Sequence, residues 1–247
     1  MCRHLAYLGP PAPLSGLLFD PPHSLAHQSW APRDMRGGGT INADGFGVGW
    51  YTPAGPVRYR RHTPIWSDST LPGLAASVLP GAVLASVRSA TVGMPVVETA
   101  AAPFGDGPWL FSHNGVVAGW PASVAKLAGT LPVTDLLTLD APTDAALLWA
   151  LVRDRLRDGA SLSGALASVT AEVLRAAPGS RLNLLLTDGV VLAATAVGHS
   201  LSYISDFSFI TVASEPLDDR PAWRPVPDGT LLTATATDLT LTPLGEA

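Results

Sequence analysis

The clearest periodic pattern of the chain lies over residues 144–157, which read DAALLWALVRDRLR. Apolar side chains recur there every three or four residues, as on one face of an amphipathic helix. That face consists of Leu148, Leu151, Val152 and Leu156, and the opposite face of Arg153, Asp154 and Arg157. Thr143 precedes the segment and is a suitable N-cap. The pattern predicts a helix over 144–157 and a second one over about 161–176, after Gly159.

Short apolar runs bounded by Gly, Pro and polar residues predict strands on both sides of these helices. Before them the runs are CRHLAYL (2–8), DGFGVGWY followed by VRYRR, Gly81–Val87 and Trp109–Phe111. After Gly179 they are RLNLLLT, VVLAATA, FITVASE, TLLTATAT and LTLTPL, with a turn at Asp188-Gly189. Residues 10–45 are dense in Pro, Gly and His and predict a long loop that is either functional or disordered.

Helices in the middle of the chain and strands on both sides predict a mixed α/β or an α+β protein built of stacked layers. We find no internal repeat and no low-complexity linker in the sequence. The 247 residues are therefore expected to form one domain, 1–247.

Composition excludes several classes of function. Hydrophobic residues make up 47% and charged residues 14%, so disorder is not expected. The net charge is −5 and no run of five Lys or Arg occurs, which argues against a nucleic-acid partner.

The single cysteine excludes an intrachain disulfide and a cysteine-based zinc cluster. The first apolar run is broken by Gly9 and Pro10, and the uncharged stretch Ser69–Val87 by further Pro and Gly. The sequence therefore predicts a cytoplasmic protein with no secretory signal and no membrane span, and Ser69–Val87 as a short helix followed by a strand.

No metal or cofactor is expected either. His23 and His27 lie four residues apart in HSLAH, which lacks the Glu of a zinc-binding HEXXH helix. The Gly-rich segments, Gly37–Gly39 and DGFGVG, match neither a phosphate-binding loop nor a dinucleotide fingerprint. His113 and His199 are single histidines in the sequence and fit core or structural roles as well as catalytic ones.

Cys2 is the first candidate for chemistry. Removal of Met1 would leave a terminal cysteine that carries a thiol and an α-amine of pKa about 7.7–8.0. Such an amine can take the thiol proton at neutral pH. The alternative is a small buried hydrophobic residue near a frayed end.

Ser112-His113-Asn114-Gly115 follows the apolar run PWLF. The Asn114 side-chain amide and the Gly115 backbone N–H are uncharged donors that suit an oxyanion hole. The alternative is a type I′ hairpin turn, for which Asn-Gly is the strongest signal.

Arg88 and Asp144 are candidates for binding charged groups. Arg88 stands at the end of a predicted strand in RSAT, where it could hold a carboxylate while Thr91 adds a hydroxyl donor. Asp144 opens the predicted helix and could neutralise an ammonium. The alternatives are a surface salt bridge for Arg88 and favourable interaction with the helix dipole for Asp144.

Taken together, these segments resemble the class II glutamine amidotransferases. Met-Cys-Arg, NADGFGVGWY, VRSATVG, PFGDGPWLFSHNG and TDAALLWALV stand in the order of that family, and NLLLTDG and VASEPLDD extend the likeness. The resemblance implies the N-terminal nucleophile fold, a four-layer αββα sandwich with two antiparallel sheets. Ser89 and Val92 depart from the Trp and His common in the family, which suggests an altered pocket beyond the scissile bond.

The resemblance also implies roles. Cys2 would be the nucleophile and its α-amine the base, and Asn114 and Gly115 would form the oxyanion hole. Arg88 would bind the α-carboxylate of a glutamyl group and Asp144 its α-ammonium. Thr91 and His113 complete the expected substrate-binding set.

If Arg88 and Asp144 bind the α-carboxylate and the α-ammonium of an amino acid, only its side-chain carbonyl can reach Cys2. The expected substrate is therefore glutamine or a γ-glutamyl amide. The chain resembles the stand-alone amidohydrolases of ergothioneine biosynthesis in two segments, PPHSLAHQSWAPRD and VASEPLDDRPAWRPVPDGTLL. Like them, it is expected to have no synthase domain. In the loop 10–45, Trp30, Arg33 and Arg36 are candidates for contacting the leaving group.

Three alternatives remain open at this point. The chain could be a glutaminase that passes ammonia to a separate synthase, a hydrolase of another γ-glutamyl metabolite, or a γ-glutamyl-binding module without catalysis.

Overall fold

The computed structural model describes residues 2–34, 36 and 41–245, which form seven α-helices and thirteen strands. The strands are β1 (Arg3–Leu8), β2 (Phe46–Thr52), β3 (Gly55–Arg61), β4 (Ala82–Val87), β5 (Phe104–Asp106), β6 (Trp109–Val116), β7 (Arg181–Thr187), β8 (Leu192–Ala196), β9 (Ser202–Ser205), β10 (Ile210–Ala213), β11 (Arg224–Pro225), β12 (Thr230–Ala234) and β13 (Leu239–Pro243). The helices are α1 (Ser15–Leu18), α2 (Leu25–Gln28), α3 (Leu71–Ser77), α4 (Ala125–Ala128), α5 (Val133–Leu137), α6 (Asp144–Arg157) and α7 (Leu162–Ala176). Short 3₁₀ turns occur at Ile65–Ser67, Glu98–Ala100 and Ala122–Val124.

The strands form two antiparallel sheets. The first has the spatial order β11-β9-β10-β1-β4-β2-β3, and the second β13-β12-β8-β7-β6-β5. The N-terminal strand β1 thus lies in the interior of its sheet, between β4 and β10. Both sheets combine strands from distant parts of the chain, because β10 pairs with β1 and β12 with β8.

Three apolar cores separate four layers. One lies between the sheets and includes Leu84 and Leu185. A second joins the other face of the second sheet to α6 and α7, and the third joins the outer face of the first sheet to α1, α2 and α3. Period-two alternation explains the arrangement in β1, where Leu5 faces the helices and Ala6 faces the second sheet. The predicted αββα sandwich with two antiparallel sheets is confirmed.

The predicted helices are confirmed as well. α6 spans 144–157 as its apolar periodicity indicates, and the Thr143 hydroxyl accepts a hydrogen bond from the Ala146 N–H at 3.2 Å. α7 begins after Ser161, whose hydroxyl accepts from the Gly164 N–H at 3.1 Å. Capping therefore fixes where both long helices begin.

Residues 10–45 are less irregular than predicted, since they contain the short helices α1 and α2. Leu18 and Leu25 from these helices are buried against the first sheet, so the segment forms part of the outer helical layer. Residues 35 and 37–40 of the predicted loop, which include Gly37–Gly39, lie outside the described residues.

The type I′ turn considered for Asn114-Gly115 is wrong. β6 continues through both residues, with Asn114 opposite Asn183 and Gly115 opposite Leu182 in β7. A type I′ turn requires a positive φ at both central residues. No non-glycine residue in the described ranges has one, and Gly115 does not either.

We predict that the contact between β6 and α6 contributes strongly to stability. Phe111 is fully buried and stacks on Trp149, with ring centroids 5.6 Å apart. Phe111→Ala should lower the free energy of unfolding by about 3–5 kcal/mol, measured by urea denaturation, because it leaves a cavity in a packed core. Phe207 is 97% exposed, so Phe207→Ala should change it by less than about 0.5 kcal/mol. Equal effects of the two substitutions would contradict the assigned core.

Candidate active site

The N-terminal strand places Cys2 at one edge of the sandwich. In the ladders of β1, Arg3 lies opposite Val87 of β4, and Leu5 lies opposite Ala213 of β10. Because both partners run antiparallel to β1, their C-terminal ends flank Cys2 on its two sides. Arg88 follows β4 directly, so the pairing of β1 with β4 brings these two distant residues together.

A small cavity of about 30 Å³ lies on the β4 side of Cys2. Its lining consists of Cys2, Arg88, Ser89, Ala90, Thr91, Met94, Ala100, His113, Gly115, Thr143, Asp144 and Ala145. Six of the seven residues predicted for the site are among them, although they come from four separate segments of the chain. The seventh, Asn114, does not line this cavity.

Arg88 is 7% exposed and is held by backbone oxygens. Its Nη1 donates to the Pro95 carbonyl at 2.9 Å and to the Asp44 carbonyl at 3.4 Å, and its backbone N–H donates to Gly45. The Asp44 carboxylate accepts the Ala90 N–H at 2.8 Å. Carbonyl ligands orient the guanidinium without neutralising it, so its charge is available to an anion in the cavity. Sequence reasoning missed Asp44, although it lies in the NADG motif.

Asp144 connects the start of α6 to the end of β6. One carboxylate oxygen accepts the Val117 N–H at 3.0 Å, and the other accepts the Ala145 N–H at 2.8 Å. Asp144 therefore has the structural role expected at a helix N-terminus. It also lines the cavity with each oxygen holding a further lone pair, so it can still accept from an ammonium.

Gly115 lies where the backbones of β6 and β7 approach closely. A Cβ at this position would stand 1.9 Å from the Arg181 carbonyl oxygen and 2.7 Å from His113 Nε2. His113 Nε2 lies 3.1 Å from the same carbonyl and donates to it, which requires a proton on Nε2. Thr91 is exposed at the rim of the cavity, and its carbonyl accepts the Met94 N–H in a turn.

Asn114 is fully buried behind the cavity and is bound to Ser214. Its Nδ2 donates to the Ser214 hydroxyl at 3.2 Å, and the same hydroxyl accepts the His4 N–H at 3.0 Å. Within the described ranges, Asn114 Oδ1 has no hydrogen-bond partner. One hydroxyl thus connects the candidate oxyanion donor to the strand that carries Cys2. Ser214 was not predicted from the sequence.

A buried ion pair holds the other side of β1. Arg3 and Glu215 are 1% and 3% exposed, and Arg3 Nε lies 3.2 Å from the carboxylate. Glu215 also accepts the backbone N–H groups of Arg33 at 2.7 Å and Asp34 at 3.1 Å. Arg3 Nη1 donates to the Cys2 carbonyl at 3.4 Å and Nη2 to the Asp34 carbonyl. The pair ties the residue before β1 to the loop around residue 33.

Two further histidines lie beside this pair. Burial lowers the pKa of His4 well below its usual range, and the nearby His113, His199 and Arg3 lower it further. Its Nδ1 lies 3.2 Å from the Ser112 hydroxyl. Burial, followed by the positive charges of Arg3 and Arg181, lowers the pKa of His199 to about 4. Both side chains are therefore neutral near pH 7.

The loop candidates are divided between two places. Trp30 is 53% exposed and stacks edge-to-face on His27, which stacks in turn on His23. Arg33 and Arg36 line a second cavity on the β10 side of Cys2. Within the described residues no group of three His, Cys, Asp or Glu side chains could hold a metal ion. None of the helices described there is long and apolar enough to cross a bilayer.

Comparison with known proteins identifies relatives of this arrangement. A family model described as class II glutamine amidotransferases matches residues 13–208. A γ-glutamyl-hercynylcysteine sulfoxide hydrolase of Mycolicibacterium smegmatis is 40% identical over 245 residues, which cover 99% of this chain and 100% of that protein. A protein of the same name from Mycobacterium tuberculosis is 40% identical over 249 residues, covering 100% of this chain and 98% of its own. The structure of a glutamine aminotransferase class-II domain protein from Silicibacter pomeroyi superimposes with a TM-score of 0.70 at 26% identity, covering 98% and 99% of the two chains.

We predict that buried His199 makes stability depend on pH. Its folded pKa of about 4 lies below the ordinary value of 6.5, so the unfolded chain binds a proton that the folded chain does not. The free energy of unfolding should therefore fall as the pH drops from about 6.5 towards 4. His199→Gln should flatten this slope in urea denaturations at a series of pH values. The exposed His62 supplies the control, and His62→Gln should keep the wild-type slope. An unchanged slope in His199→Gln would contradict the assigned burial effect.

Proposed function

Because the chain belongs to the class II glutamine amidotransferases, we propose that it is an amidohydrolase that forms a glutamyl thioester on Cys2. The proposed substrate is γ-glutamyl-hercynylcysteine sulfoxide, and the products are glutamate and hercynylcysteine sulfoxide. This substrate is the one in the names of the two mycobacterial relatives. The observation that carries the proposal is the single cavity lined by Cys2, Arg88 and Asp144.

Cys2 is the proposed nucleophile. Its side chain is partly exposed in the cavity, and Sγ lies 3.8 Å from the Ser89 carbonyl oxygen. Removal of Met1, which lies outside the described residues, would free the α-amine of Cys2. That amine takes the thiol proton, and the thiolate attacks the γ-carbonyl carbon of the substrate.

Arg88 and Asp144 are proposed to hold the two charged groups of the glutamyl moiety. The buried Arg88 guanidinium pairs with the α-carboxylate, and the Asp144 carboxylate accepts from the α-ammonium. They lie 56 positions apart in the sequence, and the sandwich edge is what brings them into one cavity with the thiol. Binding both charges leaves the γ-carbonyl as the group presented to Cys2. Thr91 and His113 line the same space and complete the proposed binding set.

The developing oxyanion is proposed to bind to the Gly115 backbone N–H and the Asn114 side-chain amide. Gly115 lines the cavity. A Cβ at this position would clash with β7, so only glycine allows β6 and β7 to lie this close together. Asn114 Nδ2 has two protons, and Ser214 accepts one of them. The second proton is free to stabilise the oxyanion as the tetrahedral intermediate forms.

Collapse of this intermediate breaks the C–N bond. The α-ammonium of Cys2 returns its proton to the departing amine and leaves a glutamyl thioester. Water, deprotonated by the same α-amine, then attacks the thioester carbonyl. The C–S bond breaks, and glutamate leaves with the thiol restored.

We further propose that residues 1–247 act as one domain in the cytoplasm. The pairing of β1 with β10 in the first sheet and of β6 with β7 in the second supports a single cooperative unit, and the unpaired Cys2 thiol suits a reducing compartment.

We predict that Cys2→Ala abolishes glutamate release and leaves the fold intact. Cys2→Ser should be severely impaired, because a hydroxyl is a much weaker nucleophile beside an amine of pKa about 8. Glutamate release gives the activity, and the urea midpoint shows that the variants fold. Intact mass should show that Met1 is absent from active protein. Active protein that retains Met1 would contradict the proposed base.

We predict that the conjugate is a better substrate than glutamine. Its large leaving group offers binding energy that ammonia cannot, and such energy can be used at the reacting centre. Glutamate release from γ-glutamyl-hercynylcysteine sulfoxide should exceed release from glutamine at least about tenfold in kcat/KM, with γ-glutamylcysteine between them. Equal or faster hydrolysis of glutamine would exclude the proposed substrate but not the nucleophile.

A further inference from the structure

A second cavity of about 260 Å³ opens at the same edge of the sandwich. Ser214 and Glu215, which follow β10, lie on its first-sheet side. His199 and Asp228, which follow β8 and precede β12, lie on its second-sheet side. Because β1 lies between β4 and β10, Cys2 separates this cavity from the smaller one that contains Arg88.

Two direct contacts connect the second cavity to the reacting centre. Ser214 lines the cavity, and its hydroxyl accepts the amide of Asn114 at 3.2 Å. Glu215 pairs with Arg3, whose Nη1 donates to the Cys2 carbonyl. The second cavity therefore lies beside the reacting centre, on the side of Cys2 away from the cavity that contains Arg88 and Asp144.

We propose that the second cavity binds the leaving amino acid of the substrate, with the carboxylate beside the scissile amide paired to Arg33 and Arg36, and a cationic group near Asp228. The assignment rests on the proposed amidohydrolase function and adds to it the recognition of the leaving group.

Charge supports this assignment. Arg33 is anchored through its backbone to buried Glu215, but its guanidinium is 51% exposed and pairs with an Asp219 that is 75% exposed. Such an exposed pair is weak, so a substrate carboxylate can replace Asp219 at little cost. Asp228 uses Oδ1 to accept the Gly198 N–H at 2.7 Å, which leaves Oδ2 for a cation.

The cavity differs from an aromatic cage. Its described lining contains His199 but no Trp, Tyr or Phe, and Trp30 stacks on His27 elsewhere. A quaternary ammonium group in this cavity is therefore recognised by carboxylate charge and not by cation–π contact with Trp30. Of the three loop candidates from the sequence, this proposal uses Arg33 and Arg36 and not Trp30.

The test removes the carboxylate and its proposed partner separately. γ-Glutamylcysteine is compared with γ-glutamylcysteinamide, in which a neutral amide replaces the leaving carboxylate. Wild type should favour the acid about threefold in kcat/KM, mainly through KM, as for an exposed ion pair. Arg33→Gln should lose this preference by slowing the acid more than the amide. Arg36→Gln should do the same to a smaller degree.

Arg220 provides a matched control. It is 55% exposed and pairs with Asp218, which is 21% exposed, at 2.8 Å, but it does not line the cavity. Arg220→Gln should keep the wild-type preference for the acid. Asp228→Asn retains the oxygen that accepts Gly198 N–H and should slow only the conjugate that carries a quaternary ammonium, by about threefold, as for an exposed ion pair.

The outcomes separate the two proposals. If Arg33→Gln slows acid and amide equally, or neither, the leaving-group cavity is wrong even when the enzyme prefers the conjugate. If wild type prefers glutamine to the conjugate, the proposed substrate is wrong, and the acid–amide comparison still decides the cavity. Calorimetric Kd values of the acid and the amide for Cys2→Ala protein give the same comparison without turnover.

Discussion

The pairing of β1 on both sides is the constraint on which the candidate site depends. Chain termini usually fray because few contacts hold them. Here β4 and β10 bind β1 as ladder partners, so the first residue before the strand has a defined position. The ends of the same two partners carry Arg88 and Ser214. The sheet that fixes the position of Cys2 therefore also places Arg88 and Ser214 on its two sides.

The buried Arg3–Glu215 pair extends this constraint beyond the ladder. Removing two charges from water is costly, and the pair is favourable only if further hydrogen bonds satisfy it. Glu215 accepts two backbone N–H groups from the 33–34 segment, and Arg3 donates to the carbonyls of Cys2 and Asp34. The hydrogen bonds that satisfy the charges also attach the loop to the nucleophile. The pair thus fixes the position of Cys2 relative to the 33–34 segment, in addition to any contribution to stability.

What the sequence predicted well depends on local signals. The helix over 144–157 has a capping threonine and regular apolar spacing, so its bounds follow from neighbours in the chain. The ordered motifs around Cys2, Arg88 and Asp144 identified the family and the cavity, although each residue alone had a structural alternative. Asn114-Gly115 shows the limit of local reasoning, because a turn signal was overridden by pairing with β7.

The groups that were missed act across long sequence separations. Ser214 contacts His4 over 210 positions, and Asp44 contacts Ala90 over 46. A serine or aspartate in a loop has many possible partners, and only the pairing of β10 and β2 with their neighbours selects these. Trp30 was chosen for its chemistry, yet it follows α2, stacks on His27 of that helix and lines neither cavity beside Cys2.

The two cavities beside Cys2 differ in size, and this difference fits the order in which bonds break in the proposed reaction. The glutamyl side has about 30 Å³ and is lined by buried Arg88 and Asp144, while the opposite side has about 260 Å³ and exposed arginines at its rim. In the proposed reaction the bond to the leaving amine breaks first, and the thioester keeps the glutamyl group in the smaller cavity. Departure of the amine would then empty the larger cavity and give the hydrolytic water a path to the thioester. The same α-amine of Cys2 then serves both steps, because both the departing nitrogen and the arriving oxygen occupy one face of the carbonyl.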